Sequence, residues 1–235
     1  YGDWSSDVCS SDLAAREFRG LRRHLMNGAP DRDYPLCPRL VAFRAVQRRA
    51  EPSWHNGPVP SFGDGAARLL IVGLAPGLRG ANRTGRPFPG DYAGELLYGT
   101  LIKSGFATGT FAADPGDGLR LRDALITNAV RCLPPENKPT PAEIKTCNGF
   151  LAGQIAALPR LKAILALGRI AHDATLSALR ARKAATPFGH GARHQVGTLA
   201  LFDSYHCSRY NTNTGRLSTA MFHDVFDKIR EALGG

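Results

Sequence analysis

Four apolar runs rich in branched side chains, at 68–74, 124–130, 161–167 and 198–204, constrain the fold of this chain more than any other feature. Near-continuous apolar runs of this length are what strands of a parallel sheet need when both of their faces are covered. Stretches with helical spacing alternate with them, over 92–104, 141–158, 169–182 and 218–233, and Thr140 followed by Pro141 supplies an N-cap and a first-turn proline. The alternation predicts an α/β fold, a three-layer α/β/α sandwich on a short, mainly four-stranded parallel sheet. Two more helices are expected upstream: one over 13–25, from the spacing of Phe18, Leu21 and Leu25, and a short one from Cys37 through Val46. The first twelve residues carry neither period and read as a disordered or non-native segment, which leaves 13–235 as a single domain.

Charge narrows the partner. Thirty Lys and Arg against twenty Asp and Glu give a formal net charge of +10, the balance expected of a chain that meets a polyanion such as nucleic acid. No apolar run approaches the roughly 20 residues that span a bilayer, and the start of the chain lacks the apolar core of a secretory signal, so no membrane partner and a cytoplasmic location are expected. The five cysteines are scattered and odd in number, a pattern that fits reduced thiols or metal ligands better than a secreted disulfide framework.

In open parallel sheets ligands bind beyond the carboxyl ends of the strands, so the loops after the first, second and fourth runs are where chemistry is expected. The first loop, GLAPGLRGANRTGRPFPGD (73–91), is dense in glycine and proline. Small residues let backbone N–H groups approach a phosphate, yet no Gly-Lys-Ser/Thr follows and no GxGxxG with an acidic partner is present, so no nucleotide cofactor is expected. Phe88 is the single aromatic in this loop; it could stack on a planar base or simply fill the core. The second loop is RCLPPENKPTP (131–141), and the third, SYHCSRYNTNTGRL (204–217), is dense in hydrogen-bonding groups.

These three loops, together with CPRLVAFR (37–44), resemble the diagnostic stretches of the family 5 (type b) uracil-DNA glycosylases, in that family's order and spacing. The resemblance runs from about Cys37 to the end of the last helix. It implies a monofunctional, monomeric enzyme that flips uracil, and other deaminated or damaged bases, out of DNA and hydrolyses the N-glycosidic bond to initiate base excision repair beside the nucleoid. It further implies that Asp91 supports the attacking water, that His206 stabilises the departing base as a donor near its O2, and that Asn137 lies near the scissile bond. Other branches of the superfamily carry Asp or Asn where this chain has Ala75, and a dissociative transition state with an oxocarbenium-like sugar lessens the need for a strong base. The implied base pocket comprises Gly73, Ala75, Pro76, Gly77, Phe88 and Asn128. Asn128 falls where another branch carries an Asn that reads the Watson–Crick edge of uracil: one amide can donate to O4 and accept from N3–H, which cytosine cannot satisfy. The implied DNA-binding set is Asn82, Arg83, Arg86 and Lys138 with Ser208, Arg209, Tyr210, Asn211, Thr214 and Arg216; Arg209 is the expected wedge into the vacated stack, and Cys207 is expected to be a small packing residue.

The same family holds a four-iron, four-sulfur (4Fe-4S) cluster with four cysteines. Cys37, Cys132 and Cys147 match three of those positions, and the fourth is Tyr34. Thiolates suit such iron and a phenol is a poor substitute. Three readings follow: Cys9 completes the set, a cluster binds with an incomplete set, or the thiols are merely buried. Tyr34 and Ala75 also leave a competing function, a catalytically weak DNA-binding or damage-sensing module on the same fold.

Overall fold

A computed structural model describes residues 30–89 and 92–234. The helix expected over 13–25, the first twelve residues with Cys9, and Asp91 lie outside the described residues. In chain order the elements are α1 (Pro38–Ala50), β1 (Phe62–Gly63), β2 (Leu69–Gly73), α2 (Ala81–Thr84), α3 (Tyr92–Lys103), β3 (Ala107–Thr108), β4 (Arg120–Leu121), β5 (Ala124–Asn128), α4 (Pro141–Ala156), β6 (Ala163–Leu167), α5 (Arg169–Ala178), β7 (Arg193–Val196), β8 (Leu199–Ser204), α6 (Arg209–Asn213) and α7 (Thr219–Leu233).

The four apolar runs become β2, β5, β6 and β8, which pair in parallel inside a sheet of order β1-β5-β2-β6-β8-β7. β1 and β7 add antiparallel edges that the sequence reading did not contain. Phe62–Gly63 is too short to show a period, and Arg193–Val196 alternates exposed with half-buried residues, as an edge strand can. A separate two-stranded ribbon joins β3 to β4.

Successive side chains of a strand point to opposite faces, and both faces of this sheet are covered. Leu69, Ile71, Ile126, Leu165 and Phe202 pack with Leu97 and Leu101 of α3 and with Phe222, Phe226 and Ile229 of α7. Leu70, Val72, Leu125, Ile164 and Leu201 face the other way, onto Leu151 of α4 and Ala171, Ala174 and Leu176 of α5. The result is the three-layer α/β/α arrangement expected from the sequence. Double coverage is why the strands read as unbroken apolar runs and not as alternating ones.

α1 packs outside these layers. Leu40, Cys37 and Tyr34 meet Val130, Cys132, Cys147 and Phe150 in a third buried cluster, and Arg39 grips Glu143 of α4 through Nε and Nη2, each 2.8 Å from a carboxylate oxygen. No helix among the described residues is long and apolar enough to cross a membrane. Parallel pairing brings Gly73 opposite Asn128 and Leu167 opposite Ser204, so the three functional loops leave the sheet from the same end.

Candidate active site

The loops beyond the strand ends line a hollow of about 620 Å³. Asn128, at the end of β5, lines it, and Gly73 at the end of β2 is its cross-strand partner. A Cβ on Gly73 would come within 2.6 Å of the Phe88 ring and would also strike the Asn128 amide, so only glycine fits beneath those two side chains. Asn128 itself is 3% exposed, and its Oδ1 has no hydrogen-bond partner among the described residues. Such an oxygen, on a residue lining the hollow, is free to accept from a donor placed there.

Phe88 reaches the hollow through an unusual backbone. Its φ is +54°, its carbonyl lies where a Cβ on Gly94 would overlap it, and Tyr98 Oη donates to the adjacent Pro87 carbonyl at 2.5 Å. Glu136 and Asn137 in the second loop are also left-handed, at φ +55° and +57°. For Phe88 and Glu136 this conformation costs about 1–3 kcal/mol each, whereas Asn adopts it readily. Asn137 is exposed at the mouth and lines the hollow.

His206 follows the last strand and lines the same space as Phe88. The two ring centroids are 5.8 Å apart with planes inclined by 31°. Asn211 Nδ2 donates to the His206 carbonyl at 2.8 Å, which pins the start of the third loop. Ala75 and Gly77 line the hollow, and Pro76 is buried between them. Sequence reasoning missed six lining residues, Leu74, Arg79, Ala81, Pro89, Tyr92 and Ala93, of which Arg79 and Tyr92 bring polar groups. Arg79 was legible as the one charge between Gly77 and Gly80; Tyr92, as the opening residue of a helix, carried no signal.

The model of the uracil DNA glycosylase superfamily matches residues 60–230, which takes in every wall of this hollow. The chain belongs to that superfamily. A type-5 uracil-DNA glycosylase of Thermus thermophilus is 48% identical over 206 residues, covering 85% of this chain and 93% of the relative. Type-5 relatives from Mycobacterium bovis and Pyrobaculum aerophilum are 42% and 39% identical, covering 84% of this chain and 77% and 88% of their own lengths.

Of the ten residues expected to touch DNA in such a family, eight reach the surface and two do not. Arg83, Lys138, Arg209, Tyr210, Thr214 and Arg216 are exposed, and Ser208 and Asn211 are half-buried. Ser208 caps α6, its Oγ accepting from Asn211 N–H at 3.4 Å, and with Arg209 it lines the hollow. Arg216 lies with its guanidinium carbon 4.4 Å from the centroid of the Tyr205 ring. Arg86, by contrast, is buried among the rings of Phe62, Tyr98 and Phe111 and pairs with Asp117 at 2.9 Å. Its charge supports the β3–β4 side of the molecule and has no route to a phosphate. Asn82 is likewise buried, its Nδ2 donating to Asn56 Oδ1 at 2.8 Å. Both corrections have one cause: a polar residue in a glycine-rich loop is as useful for stapling the loop down as for reaching out of it. Cys207 is buried in the core, its Sγ 3.5 Å from the Ala93 carbonyl, in keeping with a packing role.

Tyr34, Cys37, Cys132 and Cys147 converge in the cluster beneath α1, each buried. Arg44 Nη1 lies 3.9 Å from Cys132 Sγ while its Nη2 donates to the Tyr34 carbonyl at 3.1 Å, and the Arg131 amide donates to Cys147 Sγ at 3.3 Å. Burial pushes the Cys132 thiol up to about 12 and the Cys147 thiol up to about 11, and burial lowers the Arg131 guanidinium beside them to about 10. Burial, followed by the three thiols, also raises the Tyr34 phenol above its ordinary range. Among the described residues no three His, Cys, Asp or Glu side chains stand close enough to hold a single metal ion. A four-iron cluster spreads its iron over a cube and asks for thiols set further apart than a mononuclear site does. The donor set gathered here is three thiols and one phenol.

Proposed function

We propose that this chain is a monofunctional DNA glycosylase that flips uracil out of DNA and hydrolyses its N-glycosidic bond, with activity extending to other deaminated or damaged bases. The observation that carries the reading is the single hollow shared by Phe88, Asn128, Asn137 and His206. A flipped pyrimidine stacked on Phe88 presents its polar edge to Asn128, whose unpaired oxygen accepts from N3–H. His206 stands where the base carries negative charge away, and a donor aimed at developing charge lowers the barrier more than any contact made equally in the ground state. Asn137, exposed and lining the hollow, is the candidate for steadying water or sugar at the scissile bond. Asp91 is assigned to the water by resemblance alone. The substrate implies a cytoplasmic enzyme working at the nucleoid, and the exposed arginines around the mouth support a DNA partner engaged by a monomer.

Incubation with a uracil-containing duplex tests the assignment: free uracil and alkali-labile abasic sites are expected, and His206→Ala should lower the rate on the order of 100-fold. A protein that retains the duplex and releases no base would instead be the damage-sensing module.

The cysteine cluster belongs to the same reading. Cys37, Cys132 and Cys147 would hold a four-iron, four-sulfur cluster through three thiolates, with Tyr34 covering the fourth side. The chemistry it supplies is structural, tying the segment before α1 to the loop after β5, and no step of hydrolysis passes through it. Arg44 and Arg131 act to lower the Cys132 and Cys147 thiols, but burial outweighs them and leaves both thiols raised, so bound iron itself would have to draw off the protons. Iron and acid-labile sulfide should copurify with the protein under reducing, anaerobic conditions, and Tyr34→Cys should raise the iron retained. A colourless, iron-free preparation with full activity removes the cofactor.

A further inference from the structure

The β8 strand ends at Ser204, and the next two residues carry the chain to His206. At that point the ladder stops, yet the Tyr205 amide is not abandoned: it donates to Nδ1 of His190 at 3.2 Å. His190 belongs to a loop that is itself stapled to the strand end. Gly191 N–H donates to the Asp203 carbonyl at 2.8 Å, Asp203 N–H donates to the Ala192 carbonyl at 3.0 Å, and Gly189 N–H approaches Asp203 Oδ2 at 3.4 Å. Asp203 is fully buried and is held from below by His172 of α5, Nδ1 to Oδ1 at 2.7 Å. The His190 ring also stacks on the Tyr205 ring, centroids 5.0 Å apart and planes inclined by 18°.

We propose that His190 is a positioning residue for base excision, its imidazole acting as the last rung of the β8 ladder and fixing the Tyr205 peptide so that His206 enters the hollow in one direction. The assignment rests on the reading of His206 given above. A ring nitrogen serves as acceptor only when it is unprotonated. Burial lowers the His190 pKa, outweighing its hydrogen bond to the Met221 backbone, with Lys228 and Asp224 of α7 the charged groups that face it. The neutral ring is thus the resident form at neutral pH, and Nδ1 stays available to the Tyr205 amide. Orientation matters at this site because a misplacement on the order of 1 Å can cost about 100-fold in rate.

The test compares His190→Phe, which keeps a flat ring against Tyr205 and loses the acceptor, with His190→Asn, whose amide oxygen can replace Nδ1. Single-turnover release of uracil should fall on the order of tenfold or more in His190→Phe with DNA Kd unchanged, and His190→Asn should recover most of it. In a His206→Ala background the loss from His190→Phe should vanish, because a residue that acts only through another has nothing left to position. Wild-type rates in His190→Phe, or an equal loss in both backgrounds, overturn the proposal. His190→Leu carries the same comparison if the Phe variant folds poorly. If His206→Ala itself is fully active, the failure lies with the assignment of His206 and not with that of His190.

Discussion

Asn128 holds a buried amide oxygen without a partner among the described residues, and leaving such a group unsatisfied costs about 1–3 kcal/mol of folding free energy. Nothing in the packing requires it, since the residue closes a strand whose other positions are apolar or Thr127. The cost makes sense if a ligand donor completes the pair. Asn128→Ala is therefore expected to move stability and activity in opposite directions. Its melting temperature should match or exceed wild type, while kcat/KM on uracil should fall by roughly tenfold to a hundredfold, the size of one lost buried hydrogen bond. Thermal melts beside excision kinetics check both halves, and unaltered kinetics would remove Asn128 from base recognition. Gly73 belongs to the same argument: the amide and Phe88 occupy the volume any side chain there would need.

Helix α4 links the cysteine cluster to the rest of the fold, and its N-terminus is closed by a capping box. Thr140 Oγ1 accepts from the Glu143 amide at 3.3 Å and Glu143 Oε2 accepts from the Thr140 amide at 2.7 Å. Burial alone would raise the Glu143 carboxyl, but the hydrogen bonds from Arg39 and Thr140 outweigh it and hold the pKa below its ordinary 4.5. A carboxyl depressed in the folded state contributes stability in full above the unfolded value, and that contribution is lost as pH falls through the folded one. Thr140→Ala should cost about 1 kcal/mol at neutral pH, and Glu143→Gln should flatten the loss of stability between neutral pH and the acid side of 4.5, read by urea melts at several pH values. Thr140 and Pro141 announced this helix in the sequence because capping chemistry is local. The four parallel strands were equally plain, since burial on both faces leaves an unbroken apolar signal. The edge strands, the short helices α2 and α6 and the burial of Arg86 were not, because each depends on what a distant segment brings: Asp117 and three aromatic rings for Arg86, and Asn56 for Asn82. Phe88 could be singled out from its loop, and Asn137 and His206 from the family resemblance, but that they share one hollow is a product of strand register.

At the scale of the whole molecule, a net charge of +10 is useful only where it is exposed near the mouth. Each DNA phosphate neutralised releases condensed counterions, so the slope of log affinity against log salt is about −0.9 per phosphate contact on duplex DNA. Arg209 is exposed at the rim of the hollow and carries no ion pair among the described residues that could mask it. Arg86 is equally basic in the sequence, but its guanidinium is committed to Asp117 and three rings. The two should separate cleanly in a salt titration of binding to a duplex. Arg209→Ala should make the slope shallower by about one and weaken binding with little regard to the sequence around the uracil. Arg86→Lys keeps the charge but loses the planar fork and its stacking, so it should leave the slope unchanged and lower the melting temperature. A slope that responded to Arg86 and not to Arg209 would mean that DNA approaches from the β3–β4 side, and the hollow at the strand ends could then no longer be where the base is received.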